Sequence, residues 1–243
     1  MQTENSPETS GLKRFSLSGN QLKILAMITM LIDHIGVWFF PQVLALRLIG
    51  RLSFPIFAYM IAEGCFYTKH RGMYLMKIGG LALACQIVFL VFMKSWQQGI
   101  LITFTLSILS IYCIDCFIKM KNPLVRVGCI LGLCGIVFVS LIAPILFKEQ
   151  GFTIDYRFFG VLTPVAVYYA KGKWIKILCM AVMLVGVAID FGGRQWCALA
   201  ALPFLAAYSG KRGTRNLKYM FYVFYPTHLV LIYLISLLLE KFS

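Results

Sequence analysis

The most constraining feature of this sequence is a series of apolar runs, each close to the length that crosses a lipid bilayer. A membrane-spanning helix needs about 20 predominantly apolar residues. Of the 243 residues, 60% are hydrophobic and 13% are charged, and the mean hydropathy is +0.82. Ordinary globular domains are less apolar and more charged. The composition therefore indicates a polytopic membrane protein with an all-α fold, a transmembrane helical bundle.

Charged, proline and glycine residues punctuate the apolar runs and predict about nine membrane spans, of which the sixth and eighth are short. The predicted spans are 22–40, 50–67, 73–93, 98–118, 124–147, 156–170, 174–190, 195–208 and 217–239. Residues 1–21 are polar and predict a cytoplasmic tail. Because no linker interrupts the rest of the sequence, residues 22–243 are expected to form a single transmembrane domain.

Lysine and arginine residues orient the predicted bundle. Most of the 23 Lys and Arg residues fall in alternate connections between spans. The positive-inside rule then predicts a cytoplasmic N-terminus, in a multi-pass protein of the cytoplasmic (inner) membrane. Anionic membrane lipids are the expected partners of these connections. The net charge of +14 does not indicate nucleic-acid binding, because the cations are spread between spans rather than gathered in one patch.

Ionisable residues within the spans are functional candidates, since a charge in hydrocarbon is costly unless it is paired or faces a cavity. Asp33 and His34 stand side by side in the first span, in "MLIDHIGV". His228, in "FYPTH" of the last span, lies at a matching depth, judged by a rise of about 1.5 Å per residue. The two imidazoles are therefore predicted to share one cavity. The alternative is that each ring only hydrogen-bonds a backbone carbonyl within the bundle.

Arg47 and Arg51 are four residues apart and so share one helix face at the outer start of the second span. They either reach to outer headgroups or have an anionic partner that offsets their mutual repulsion. The candidate partners are Asp33, Asp155 and Asp190.

Other charged residues lie toward the predicted cytoplasmic side. Glu63 extends the polar residues of the second span toward that surface. Asp115 precedes Lys119 by four residues, a spacing that predicts an interfacial ion pair. The loop at 210–218, "GKRGTRNLK", is the best candidate site for a phosphorylated cytosolic ligand.

Motifs for other chemistry are weak or absent in the sequence. The C-x-x-C of Cys113 and Cys116 has no further Cys or His nearby, so the eight cysteines are interpreted as small buried hydrophobes. Gly-rich phosphate loops, nucleophile elbows and H-E-x-x-H motifs do not occur. We therefore expect no metal ion.

Five segments resemble the TraX family, membrane proteins linked to N-terminal acetylation of conjugative pilin, and through it the wider group of transmembrane acyltransferases. They follow in the family's order and cover most of the chain. The segments are "LIDHIGVWFFP" (31–41), "LRLIGRLSFPIFAYMIAEGCFYTKHRGMYLMKI" (46–78), "DYRFFGVLTPVAVYY" (155–169), "QWCALAALPFLAAYSGKRG" (195–213) and "KYMFYVFYPTHLVLIYLI" (218–235).

The resemblance implies an acetyl-CoA-dependent O- or N-acyltransferase. Acyl-CoA would be the cytoplasmic donor substrate, and the acceptor would be a pilin, another surface peptide N-terminus or a glycan on the outer side. Acyl transfer needs a base and groups that stabilise charge on the carbonyl oxygen. His34 is the predicted base or a transient acyl carrier, with Asp33 and His228 as the other catalytic candidates.

Substrate and donor contacts are expected at two further groups of residues. The predicted substrate-binding residues are Arg47, Arg51, Glu63, Asp155 and Tyr225. The predicted contacts to the phosphates of coenzyme A are Lys211, Arg212 and Arg215.

Two rival functions are compatible with the same residues. A proton-coupled transporter or flippase would use His34, Glu63 and His228 as a proton relay. A non-enzymatic assembly subunit would need none of this chemistry. Because the sequence has no obvious inverted repeat, a transporter is less favoured. Only an enzyme would consume acyl-CoA and release free thiol.

Overall fold

The computed structural model describes residues 16–94, 96–214 and 217–242, and helices dominate these ranges. The first fifteen residues of the predicted cytoplasmic tail therefore lie outside the described residues. In chain order the elements are α1 (Gly19–Trp38), α2 (Leu44–Gly50), α3 (Ser53–Tyr67), α4 (Arg71–Met93), β1 (Gln97–Gln98), α5 (Ile100–Lys119), α6 (Pro123–Val137), a π-helical segment (Phe138–Ile142), α7 (Ala143–Leu146), β2 (Thr153–Ile154), α8 (Arg157–Tyr169), α9 (Lys173–Phe191), a 3₁₀ segment (Gly193–Ala201), α10 (Leu202–Ala206) and α11 (Lys218–Phe242).

Seven helices in the described ranges are long and apolar enough to cross a membrane. They coincide with seven of the predicted spans, so the all-α membrane bundle is confirmed. The predicted sixth and eighth spans correspond to shorter elements, the 13-residue α8 and the 3₁₀ segment with α10. The count of nine and the cytoplasmic N-terminus are not confirmed and stay predictions. The seven helices cover Gly19–Trp38, Leu44–Tyr67, Arg71–Val91, Ile100–Lys119, Pro123–Leu146, Lys173–Phe191 and Tyr219–Leu239.

The short helix α8 lies beside α5 along most of its length. Near the start of α5, the Thr103 hydroxyl donates to the carbonyl of Asp155 at 2.6 Å. Near the end of α8, the Tyr169 hydroxyl donates to the Asp115 carboxylate at 2.8 Å. The pairing of β1 with β2 in parallel holds the starts of the two helices side by side. Helix α8 therefore extends between the same two ends of the bundle as α5.

Helix α3 is the centre of the packed bundle. Its Ile56 and Ala58 are completely buried, and Phe54 stacks on Tyr156 with ring centroids 3.9 Å apart. On the outer helices, by contrast, apolar side chains face outward, and Ile189 of α9 is 72% exposed. A membrane protein needs such a surface, because its outer face contacts lipid rather than water.

The first helix is fixed at its start to the loop that precedes the last helix. Ser18 caps α1 in a capping box with Gln21, so the helix begins at Gly19, before the predicted boundary at residue 22. The backbone N–H of Gly19 then donates to the carbonyl of Lys211 at 2.8 Å. The cationic loop is thereby held against the N-terminal end of α1.

We predict that α8 crosses the membrane, so that residues 150 and 171 lie on opposite sides. If α8 crosses, Lys171→Cys is labelled from the same side as Lys121→Cys, and Arg194→Cys from the same side as Gln150→Cys. The measurement is labelling of each single variant with a membrane-impermeant maleimide in right-side-out and inverted vesicles. The unsubstituted chain, with its eight cysteines, gives the background.

The opposite pairing of these sites would contradict the nine-span prediction. Labelling of Lys171→Cys from the side of Gln150→Cys means that α8 does not cross, and the chain then has fewer than nine spans.

Candidate functional site

A polar cavity of about 490 Å³ lies between α1, α2, α3, α11 and the starts of α5 and α8. Most of the predicted catalytic and substrate-binding residues converge on it although they come from distant parts of the sequence. The predicted residues that line it are Asp33, His34, Arg47, Arg51, Asp155 and Tyr225.

Asp33 is the anionic partner of the arginine pair. Its carboxylate lies 2.9 Å from a guanidinium nitrogen of Arg47 and 3.8 Å from one of Arg51. The prediction that the arginines have an anionic partner is therefore confirmed, and Asp33 is that partner among the three candidate acids. Of the other two, Asp190 pairs with Arg157 at 3.1 Å.

A glycine lets α2 approach α1 at this ion pair. A Cβ atom at Gly50 would lie 2.3 Å from Oδ1 of Asp33, closer than non-bonded atoms approach. The chain then turns at residues 51–52, and α3 begins at Ser53. The second predicted span is thus broken next to the cavity, and Arg51 lies at the break.

The neighbours of His34 define which ring nitrogen is available as a base. Nδ1 lies 2.8 Å from the carbonyl oxygen of Met30. Because a carbonyl only accepts hydrogen bonds, the neutral ring carries its proton on Nδ1. The lone pair of Nε2 is then left for the cavity that His34 lines. The backbone bond proposed as the alternative role of this ring does form, and it leaves the opposite nitrogen free.

His228 repeats this arrangement on α11. Its Nδ1 lies 2.8 Å from the carbonyl of Phe224, and its ring meets that of His34 edge to face with centroids 5.0 Å apart. The two imidazoles are therefore neighbours, but only His34 is among the residues that line the polar cavity, so the predicted sharing of one cavity stays a prediction. His228 is 4% exposed, and its Nε2 is buried with no hydrogen-bond partner among the described residues. Such an unpaired buried atom is rare and costly in folded proteins.

Asp155 contributes a second carboxylate to the cavity wall. The side-chain amide of Gln97 donates to it at 2.9 Å, which follows from the pairing of β1 with β2. Burial raises the pKa of the Asp155 carboxyl, and the Gln97 hydrogen bond opposes this rise. Next to it, Tyr156 has a φ of 61°, a left-handed conformation that few non-glycine residues adopt.

Sequence reasoning missed several lining residues. Tyr156 follows Asp155 in "DYRFFG", so the predicted role of Asp155 could have pointed to Tyr156 as a second lining residue. Gln97 and Gln195 are uncharged and lie outside any recognisable motif, so nothing in the sequence distinguished them from other polar residues.

Glu63 does not belong to this cavity. It lies on α3 toward the far end of the bundle and pairs with Lys176 of α9 at 2.6 Å. Its predicted position on the far side of the second span from Arg47 and Arg51 agrees with this geometry, and its predicted role in substrate binding stays a prediction.

The predicted pair of Asp115 with Lys119 is wrong. Asp115 instead pairs with Arg71 of α4 at 2.6 Å and accepts hydrogen bonds from Tyr168 and Tyr169. Partners on neighbouring helices satisfy this buried carboxylate better than an exposed lysine on its own helix does.

A second, apolar cavity of about 180 Å³ adjoins the polar one. Its lining includes Lys23 and Arg212 at the end of the bundle where α1 begins. From Lys23, His34 is about 16 Å along α1 at a rise of about 1.5 Å per residue. Four side chains line both cavities: Met30, Phe57, Ile100 and Tyr225.

Of the two predicted phosphate contacts within the described residues, one lines the apolar cavity. Arg212 does, Lys211 is not among the lining residues, and Arg215 lies outside the described residues. Lys23 also lines this cavity, as a second cation beside Arg212. Its position in the sequence indicated only the orientation of the first span.

The family model described as TraX protein matches residues 18–236. The chain belongs to the TraX family. All the described residues of both cavities lie inside the matched range. No solved structure matches the chain.

Two curated proteins resemble parts of this TraX-family chain. One, "Uncharacterized protein RP591" from Rickettsia prowazekii (strain Madrid E), is 44% identical over 48 residues, which cover 20% of this chain and 19% of the relative. The other, "Probable fimbrial assembly protein FimC, serogroup H1" from Dichelobacter nodosus, is 31% identical over 67 residues, 26% of this chain and 28% of the relative. The chain thus spans less than a third of either relative.

We predict that Gly50→Ala destabilises this TraX-family protein, because the added methyl group overlaps Asp33 and separates α1 from α2. Overpacking of this kind costs about 1–3 kcal/mol. The measurement is the thermal unfolding temperature in detergent. Gly128→Ala is the matched control, since nothing lies within 4 Å of a Cβ at that position.

Equal unfolding temperatures for the two glycine variants would contradict the close approach of α2 to Asp33. The control itself is expected to be neutral or slightly stabilising, because alanine favours a helix over glycine.

Proposed function

We propose that this TraX-family protein is a membrane acyltransferase, which transfers an acetyl or other acyl group from acyl-CoA to an acceptor across the membrane. The observation that carries the proposal is the pair of adjoining cavities. The apolar one has cations Lys23 and Arg212 at its end, and the polar one contains the imidazole of His34. Together they suit a donor whose phosphates and reacting carbonyl lie far apart.

The apolar cavity suits the uncharged part of the donor. Arg212 and Lys23 would hold the phosphates of coenzyme A, since Arg and Lys form charge-assisted hydrogen bonds with phosphate oxygens. The pantetheine arm and its thioester would pass between Met30, Phe57 and Ile100 toward His34. Charged groups would be excluded from this passage, because they lose their hydration in an apolar channel.

In the polar cavity, Nε2 of His34 would take a proton from the acceptor amine or hydroxyl as that group attacks the thioester carbonyl. The tetrahedral intermediate would collapse with cleavage of the carbon–sulfur bond. The imidazolium would then return the proton to the leaving thiolate, and free coenzyme A would depart. An alternative course, with the acyl group carried on His34, makes the same products in two transfers.

Arg51 is the best candidate to stabilise the developing oxyanion. Its Nε is buried and has no hydrogen-bond partner among the described residues, although the side chain lines the cavity. This unpaired N–H group could donate a hydrogen bond to the carbonyl oxygen of a bound thioester. Arg47, 2.9 Å from Asp33, would chiefly hold that carboxylate in place.

The acceptor would enter from the end of the polar cavity that is predicted to face the outer side. Asp155 and Gln97 could position the amine of a peptide N-terminus or a hydroxyl of a glycan. Similarity to the Dichelobacter relative, a probable fimbrial assembly protein, favours a pilin or another surface peptide.

A proton relay through Glu63, as the transporter hypothesis requires, has less support. Glu63 is engaged by Lys176 and lines neither of the adjoining cavities. The histidine pair therefore lacks the predicted connection to the other end of the bundle.

We predict that His34→Ala inserts normally but transfers acyl groups about 10²–10⁴-fold more slowly, the contribution of a general base. The measurement is transfer from labelled acetyl-CoA to an acceptor peptide in proteoliposomes, normalised to folded protein. His70→Ala is the matched control, because that exposed imidazole lies outside both cavities.

Normal transfer by His34→Ala together with an inactive His228→Ala would move the base to α11. If both variants transfer normally, the histidine pair is structural and the proposed mechanism is wrong.

We predict that the double variant Lys23→Gln/Arg212→Gln raises the KM for acetyl-CoA and leaves kcat nearly unchanged. Phosphate contacts made equally in the ground state and the transition state act on binding alone. Lys121→Gln is the control for loss of a cation elsewhere. An unchanged KM in the double variant would show that the donor does not bind at this end of the apolar cavity.

A further inference from the structure

A third cavity, of about 830 Å³, lies where α3 and α8 end and α9 begins. It shares no lining residue with either cavity of the proposed active site. Neither the family match nor the proposed acyl transfer accounts for it.

Aromatic side chains supply six of the fifteen residues that line this third cavity. Tyr168 and Tyr169 are fixed there because both hydroxyls donate to Asp115, at 3.0 and 2.8 Å. At the rim, Phe66 and Tyr67 are 61% and 64% exposed. Aromatic residues of this kind are typical of the interface between hydrocarbon and headgroups.

Three lysines line the same cavity, and the acids present neutralise only one of them. Lys176 pairs with Glu63 at 2.6 Å, while the other wall carboxylate, Asp115, is already paired with Arg71. Lys173 donates to the backbone carbonyl of Tyr208 at 3.0 Å, which leaves its charge uncompensated.

Lys171 has no carboxylate partner within the part of the chain that the structure describes. With Lys173, it therefore leaves two positive charges in excess at the cavity.

The excess positive charge lies at the N-terminus of α9, where cations are unfavourable. Lys171 and Lys173 flank the start of α9, where Gly172 offers no side chain to cap the backbone N–H groups. Cations are unfavourable at a helix N-terminus, where the helix dipole is positive, and an anion is favourable there. An anionic ligand in the cavity would neutralise the excess charge of the lysines and interact favourably with the N-terminus of α9.

We propose that the third cavity binds a phosphate-bearing anion. The phosphate would lie between Lys171 and Lys173, and the rest of the ligand would pack against Tyr168 and Tyr169. Two sources carry this chemistry. One is the headgroup of an anionic phospholipid, which basic pockets between membrane helices bind, and the other is a small soluble phosphate ester. The site is independent of acyl transfer and stands if that proposal fails.

The test is retention of phosphatidylglycerol by the purified full-length chain, measured by native mass spectrometry from detergent with phosphatidylcholine as the zwitterionic comparison. The double variant Lys171→Gln/Lys173→Gln should retain roughly 10- to 30-fold less phosphatidylglycerol, since each lysine near a headgroup contributes binding free energy. Phosphatidylcholine retention should not change. The matched control is Lys119→Gln/Lys121→Gln, two cations outside the cavity.

A second arm identifies the source of the phosphate. Glycerol 3-phosphate or inorganic phosphate is titrated, and the thermal unfolding temperature is recorded for the same variants. Protection of the unsubstituted and control chains but not of the Lys171/Lys173 variant assigns a soluble ester; selective lipid retention without such protection assigns a headgroup. Both results support a phosphate site.

The proposal is overturned if neither phosphate source distinguishes the unsubstituted chain from the Lys171/Lys173 variant, or if the control variant loses as much binding. The single variant Lys171→Gln guards against a folding defect, because that side chain makes no ion pair within the described ranges. It should unfold at the unsubstituted temperature and still bind less phosphate.

Discussion

The ion pair of Asp33 with Arg47 is the interaction on which the polar cavity depends. It holds α2 against α1 and places a second cation, Arg51, at the break before α3. Removing one partner of such a pair leaves an uncompensated charge away from bulk water, which costs more than the pair itself contributes. Close approach at Gly50 and ion pairing at Asp33 therefore support each other.

Two other ion pairs also join different helices. Glu63 of α3 pairs with Lys176 of α9, and Asp115 of α5 pairs with Arg71 of α4. These pairs lie toward the end of the bundle where α9 begins, whereas the Asp33 pair lies toward the other end. In the described part of the bundle, ion pairs thus connect helices near both ends. The middle is packed with apolar side chains around α3.

The central packing also explains how α8 reaches the proposed active site. Phe54 stacks on Tyr156 at 3.9 Å, and the pairing of β1 with β2 brings Gln97 to Asp155. These contacts hold the start of α8 at the cavity, although its 13 residues are fewer than the about 20 of a typical span. Positioning of Asp155 therefore depends on tertiary contacts and not on the length of α8.

The sequence by itself determined the all-α membrane bundle, the matching depth of His34 and His228, and the need of Arg47 for an acid. These follow from hydropathy and from the fixed rise of a helix, which are local properties. Only the tertiary structure decided that Asp33 is the acid paired with Arg47, that Glu63 pairs with Lys176, and that Gln97 lines the polar cavity. Those outcomes depend on how each helix is rotated and packed against partners far away in the chain, which periodicity does not encode.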